Sequence, residues 1–274
     1  MDSGKPLAHM ADSPHYTRCP KCGSGSLPAD QSLPAACPAC GLILAKYGVA
    51  VARAASAAPF DEESPAAAHA RDAFAYLNAA VRHIPARADP ATLWARAALL
   101  LVLALWGMRL IWMDYRDGEF FTSFLHGPLL VFHEAGHVIF RVFGEFMMVA
   151  GGTLGQLLMP AIMCGALLLR NRDPFAAAVG LWLFGVSVLD VAPYVFDALH
   201  PQLTLLNGST GEQGGHDWMY LLGETGLTKR ARGLGWITHK LGALMVLLSL
   251  YWAGWVLWQQ KLRLDNPVEE VTRI

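Results

Sequence analysis

Eight consecutive residues, Val131-Phe132-His133-Glu134-Ala135-Gly136-His137-Val138, have the types and spacing to do chemistry on one metal ion. In a helix, His133 and His137 at i and i+4 lie on one face and can both reach a single Zn²⁺. Glu134 can then polarise a water in the coordination position left open. The setting sharpens this reading. From Gly127 to Gly144 the chain is otherwise mostly Leu, Val, Phe and Ile, with Arg141 near the end, so the segment reads as a membrane span weakened by what it carries. One ionisable residue at the centre of a span costs about 2.5–3.5 kcal/mol on insertion scales. His133, Glu134 and His137 together require a metal or a polar cavity to meet them.

A second group is built from thiols. Cys19-Pro-Lys-Cys22-Gly and Cys37-Pro-Ala-Cys40-Gly repeat one pattern, CPxCG, with 14 residues between the copies. Each tight turn carries two thiolates, and the glycine after it frees the backbone to approach sulfur. Four thiolates close a tetrahedral Zn²⁺ site with no open position, which is a structural site. The pattern resembles the zinc-ribbon family, in which the metal supplies the folding energy that so small a core cannot. A thiol-rich site implies a reducing compartment and therefore a cytosolic N-terminus. Cys164, alone in an apolar run, reads as a small buried hydrophobe.

Composition indicates how these groups are carried. The chain has 274 residues, 54% hydrophobic and only 16% charged, with mean hydropathy +0.34. Soluble domains carry about 25% charged residues, which excludes a single soluble globular domain. The net charge of −1 gives no reason to expect nucleic acid as a partner. Residues 1–18 read as a disordered leader, 19–48 as the zinc ribbon, and 49–92 as a linker containing one amphipathic helix from Ala66 to Ile84. Apolar runs at Ala97–Met113, Met147–Leu169, Pro174–Leu199 and Leu241–Trp258 join Gly127–Gly144 to make about five spans within 93–260. Residues 261–274 form a C-terminal tail. The fold expected is mostly α, a polytopic transmembrane helical bundle with a small N-terminal zinc-ribbon module.

Between about residues 125 and 240 the chain resembles the site-2-protease-like membrane metallopeptidases, the M50 family. His133 and His137 match that family's histidine ligands and Glu134 its general base. Gly151-Gly152-Thr153-Leu154-Gly155-Gln156 resembles its glycine-rich segment, which serves either for close helix packing or to turn backbone back beside the site. The resemblance implies an aspartate as third ligand. Asp217, in Gly215-His216-Asp217-Trp218, resembles the Ser-Asp-Ala segment of a divergent branch of the family and is favoured. Asp190 and Asp197 remain alternatives. Their segment, Asp190-Val-Ala-Pro193 followed by Asp197, departs from the better-known Asn-x-x-Pro and Leu-Asp-Gly pattern. His216 is a further alternative, as a ligand or as a hydrogen-bond partner of one, and Asp217 could instead cap a helix beginning at Trp218. His126 and His239 read as residues at the membrane interface.

The activity expected is hydrolysis of a membrane-embedded or juxtamembrane peptide bond, with one catalytic and one structural Zn²⁺. The partners are then the lipid bilayer and a membrane-protein or peptide substrate. The location expected is a bacterial inner membrane, with the ribbon in the cytosol. The alternative is a catalytically inactive peptidase-like scaffold or regulator acting through its ribbon, and a more distant one is a redox protein holding iron on the four thiolates. Retention of Glu134 favours the enzyme.

Overall fold

The computed structural model describes residues 15–31, 35–44, 46–47, 65–84, 89–206 and 208–266. Most of the expected leader, the stretch from 48 to 64 and the end of the tail lie outside the described residues. The chain divides into two compact units, Met1–Arg71 and Asp72–Ile274.

In the first unit the cysteine turns are organised around buried Cys19, Cys37 and Leu44. Among the described residues it contains no extended strand of a ribbon, only an isolated antiparallel bridge between Ala36 and Ile43. Gln31 and Tyr16 exchange two hydrogen bonds across the unit, backbone to side chain in both directions.

Helix α1 (Pro65–Val81) runs through the division between the units. The second unit continues with α2 (Pro90–Trp112), α3 (His126–Phe140), α4 (Glu145–Leu169), α5 (Pro174–Asp197), a short α6 (Asp217–Glu224) and α7 (Ala231–Asp265). Two starts follow one rule. Asp89 and Asp173 cap α2 and α5 by accepting from the Thr92 and Ala176 amides, and each is followed by a proline at the first helical position, where a missing N–H costs nothing.

Helix α5 is the axis of the unit. It packs along α7 on one side and α4 on another, and α3 lies against α4. Trp182, Val186 and Leu189 of α5 meet Leu103, Leu110, Leu129 and Val246 in the main core. Its apolar window is 72% buried, whereas that of α2 is 11% buried. The exposed face of α2 is itself apolar, with Leu101, Val102 and Leu105 uncovered, as expected for a helix solvated by lipid.

Among the described residues, four helices are long and apolar enough to cross a membrane, Pro90–Trp112, Glu145–Leu169, Pro174–Asp197 and Thr228–Asp265, where about five spans are expected from the sequence. The segment read as the fifth forms only the 15-residue α3, followed by a 3₁₀ turn at Arg141–Phe143. At 1.5 Å per residue such a helix reaches about 22 Å, short of a hydrocarbon core of about 30 Å. The glycine-rich segment is not re-entrant either, since Gly151–Gln156 lies inside the continuous helix α4.

Candidate metal centre

Helix α3 presents His133 and His137 one turn apart, on the side that crosses α4. That crossing is made of glycine. A side chain at Gly136 would run into the Gly151 carbonyl, and a Cβ at Gly155 would lie 2.6 Å from the Phe132 carbonyl. A Cβ at Gly152 would lie 2.5 Å from His133 Nε2 and 2.6 Å from His137 Nε2. The glycine-rich segment therefore serves close helix packing, the first of the two expected purposes, and it also leaves room for two imidazoles.

Contacts on the far side of each ring orient it. His137 Nδ1 donates to the Met148 carbonyl at 2.9 Å, and His133 Nδ1 lies 3.1 Å from Gln156 Oε1. Both Nε2 atoms then converge on Asp217, whose Oδ2 is 2.9 Å from His133 Nε2 and 3.3 Å from His137 Nε2. The three candidate ligand atoms all lie within 4.8 Å of one another. Ligand atoms placed tetrahedrally at about 2.0–2.2 Å from Zn²⁺ stand roughly 3.3–3.6 Å apart, and both distances to Asp217 lie within a few tenths of an ångström of that range. Burial opposes ionisation of Asp217, but the hydrogen bonds from His133 and His137 outweigh it and hold the carboxyl below its ordinary range.

Asp217 is delivered by short-range structure. His216 is the N-cap of α6, its Nδ1 accepting from the Met219 amide, and Asp217 is the first helical residue rather than the cap. The Asp217 amide donates to the Tyr194 hydroxyl at 3.0 Å, and the Trp218 indole donates to Thr153 of α4 at 3.2 Å. The other candidates point elsewhere. His216 Nε2 faces Asp197 at 3.4 Å, and Asp197 accepts from the Gln202 and Leu203 amides. Asp190 accepts from Gln156 Nε2 at 2.6 Å and lies 2.8 Å from His126 Nδ1. Among the described residues, the converging group is His133, His137 and Asp217.

The group opens into a cavity of about 340 Å³. Glu134, exposed on α3, lines it beside both histidines, Asp217 and Tyr194, while Leu130, Val191, Leu203, Leu205 and Leu206 supply apolar wall. His126 also lines this cavity, which corrects its reading as an interfacial residue: two turns before His133, it is drawn inward by Asp190. His239 is likewise not a headgroup contact. It is 5% exposed and stacks on Tyr115 with ring centroids 4.6 Å apart. Gln156 and Tyr194 are site residues that motif reasoning passed over. Their signal was the one side-chain amide of α4 and the one phenol of α5.

In the first unit the two cysteine turns are superposable in their hydrogen bonding. The Gly23 amide donates to the Cys19 carbonyl and the Cys19 amide to the Ser24 carbonyl, and Gly41, Cys37 and Leu42 repeat the pair. Gly23 and Gly41 adopt φ of 75° and 72°, a left-handed conformation that glycine enters without steric cost. Cys19 and Cys40 sulfurs stand 3.6 Å apart, and Cys22 and Cys37 sulfurs 3.8 Å. A tetrahedral Zn²⁺ with bonds of about 2.3 Å separates its sulfurs by roughly 3.8 Å, so this cluster too can hold a metal ion. Electrostatics agree. Burial disfavours the Cys19 thiolate, yet hydrogen bonds from the Cys22 and Lys21 backbone and neighbouring thiols bring its pKa to about 6. The Ser24 amide favours a Cys22 thiolate, but Cys40, burial and the other sulfurs push it up to about 12. Sulfurs this close need a cation before all can ionise.

Comparison with protein-family models, with curated proteins and with solved structures finds no match.

Proposed function

We propose that this protein is an intramembrane zinc metallopeptidase of the site-2-protease-like kind. The observation that carries the reading is the convergence of His133, His137 and Asp217 beside Glu134, at a cavity within a unit whose long helices are apolar. Bound there, Zn²⁺ would polarise the peptide carbonyl and the attacking water. Glu134, free of structural duties on the cavity side of α3, takes the water's proton and returns it to the leaving amine. His133 and His137 are held with Nε2 forward by Gln156 and Met148. The leucines of the 203–206 segment give the cavity an apolar wall suited to a membrane-embedded or juxtamembrane peptide.

The four-cysteine unit is compact on its own, which also supports the alternative of a scaffold or regulator working through that unit. Glu134 separates the two readings. In detergent, the full chain should cleave members of a panel of apolar transmembrane peptides, and Glu134→Gln should slow cleavage by about 10²–10⁴ while leaving metal content unchanged. Equal turnover by the variant, or no cleavage by the parent of any peptide while Glu134→Gln complements a deletion, would favour the scaffold. The thiol cluster supports a cytosolic placement of the first unit, and we keep a bacterial inner membrane as the proposed location.

A further inference from the structure

The polar network behind His133 does more than touch its ring. Asp190 sits in the middle of α5, 4% exposed, with one carboxylate oxygen 2.6 Å from Gln156 Nε2 and the other 2.8 Å from His126 Nδ1. Gln156 turns its NH₂ toward the Asp190 carboxyl, which accepts it, and leaves Oε1 facing His133 Nδ1 at 3.1 Å. An amide oxygen also only accepts, so His133 carries a proton on Nδ1, and Nε2 is the atom left for a metal, which on binding would take the place of the hydrogen bond to Asp217. His137 is held differently. Its Nδ1 meets a backbone carbonyl, which has one polarity, whereas an amide side chain has two. Rotated by half a turn, Gln156 would offer NH₂ to His133 Nδ1 and drive the proton onto Nε2, the ligand atom.

The Gln156 backbone is also held in place, since its carbonyl accepts from Ser187 Oγ of α5 at 3.0 Å. The same deduction applies on the other side of Asp190. His126 Nδ1 faces the second carboxyl oxygen, and a neutral ring that donates there keeps its Nε2 lone pair. The ring stacks on Phe121, 4.5 Å between centroids, and lines the cavity.

We infer that Asp190 is a positioning residue: through Gln156 it commits His133 to the metal-ligating tautomer, and through its second oxygen it fixes His126 as a hydrogen-bond acceptor on the cavity wall. The His126 acceptor suits a backbone N–H of an extended peptide. The inference rests on the metal reading of the His133 group, not on peptide cleavage.

Exchanging the polarity of the pair tests it. The full chain in detergent is titrated with Co²⁺. The thiol cluster reports through sulfur-to-cobalt charge transfer, and the His133 site reports through weak ligand-field bands that involve no sulfur. Gln156→Glu sets a carboxylate against Asp190 and should weaken Co²⁺ binding at the His133 site by about 10–100-fold, the usual effect of disturbing a ligand's hydrogen-bond partner. The double variant Gln156→Glu/Asp190→Asn restores every donor–acceptor match. The new amide at 190 donates to the new carboxylate at 156, its oxygen still accepts from His126, and the carboxylate accepts from His133 Nδ1. Its affinity should return to near that of the parent, a recovery that mere packing would not produce. Parental affinity in Gln156→Glu, or a double variant as weak as Gln156→Glu, overturns the relay. A parent chain that takes up Co²⁺ only on sulfur overturns the metal reading and the relay with it. Recovery in the double variant without peptide cleavage supports the relay and counts against the peptidase alone.

Discussion

Gly152 is the residue on which the geometry of the His133 group most depends. A methyl added there falls within 2.6 Å of both imidazole Nε2 atoms, at the place where a metal would be held. In an ordinary helix interior Gly→Ala stabilises by about 1 kcal/mol, so local propensity and site geometry oppose each other here. Gly152→Ala is expected to keep helix content and thermal stability while losing the metal of the His133 site, as counted by atomic absorption. Retention of that metal would show that the rings have room to move aside. At this scale much was legible in the chain alone. His133, Glu134 and His137 declare themselves because their spacing is local, and the cysteine pairs do so for the same reason. Gln156 and His126 did not, and Asp190 stood out only as an alternative third ligand. Their relation spans three helices, and each taken singly reads as a polar residue in an apolar run.

At the scale of elements, the loop from 198 to 216 must end with Asp217 facing α3. Asp197, at the end of α5, accepts from the Gln202 and Leu203 amides and faces His216, the cap of α6. It holds the loop at both ends without approaching the candidate metal ligands. Asp197→Ala would remove the acceptor of the Gln202 and Leu203 amides, of which the half-buried Leu203 amide stands to lose about 1–3 kcal/mol. The expected result is a thermal midpoint lower by several degrees, followed by circular dichroism in detergent. An unchanged midpoint would mean that water replaces the carboxylate at no cost. The sequence placed α4 and α5 to within about two residues, because long uncharged runs are hard to misread, whereas α2 and α7 extend well beyond their apolar runs, α7 at both ends, into flanking charged residues. The segment read as a fifth span forms a helix of only 15 residues, because apolar content alone does not set the length of a helix. That shortness is consistent with its contents. The helix carries its polar groups against α4 and the cavity and leaves Val131, Val138 and Ile139 exposed.

At the scale of the whole molecule, two groups that could hold a metal ion lie in two separate compact units, one of four thiols and one of two imidazoles and a carboxylate. They differ in kind. The thiol cluster is closed on all four sides, whereas the His133 group has three protein ligands and a cavity for the fourth position, the division between structural and catalytic zinc. The account therefore stands or falls on whether Asp217 completes a second metal site, and zinc counted per chain on the purified protein measures this directly. The parent should hold one ion in each group. Cys19→Ser/Cys22→Ser should lose only the ion of the first unit, and Asp217→Ala only that of the second. Combining the three substitutions should leave none. Asp217→Ala with the parental zinc count would contradict the account, because two histidines would then be holding the ion without the carboxylate that the fold brings to them.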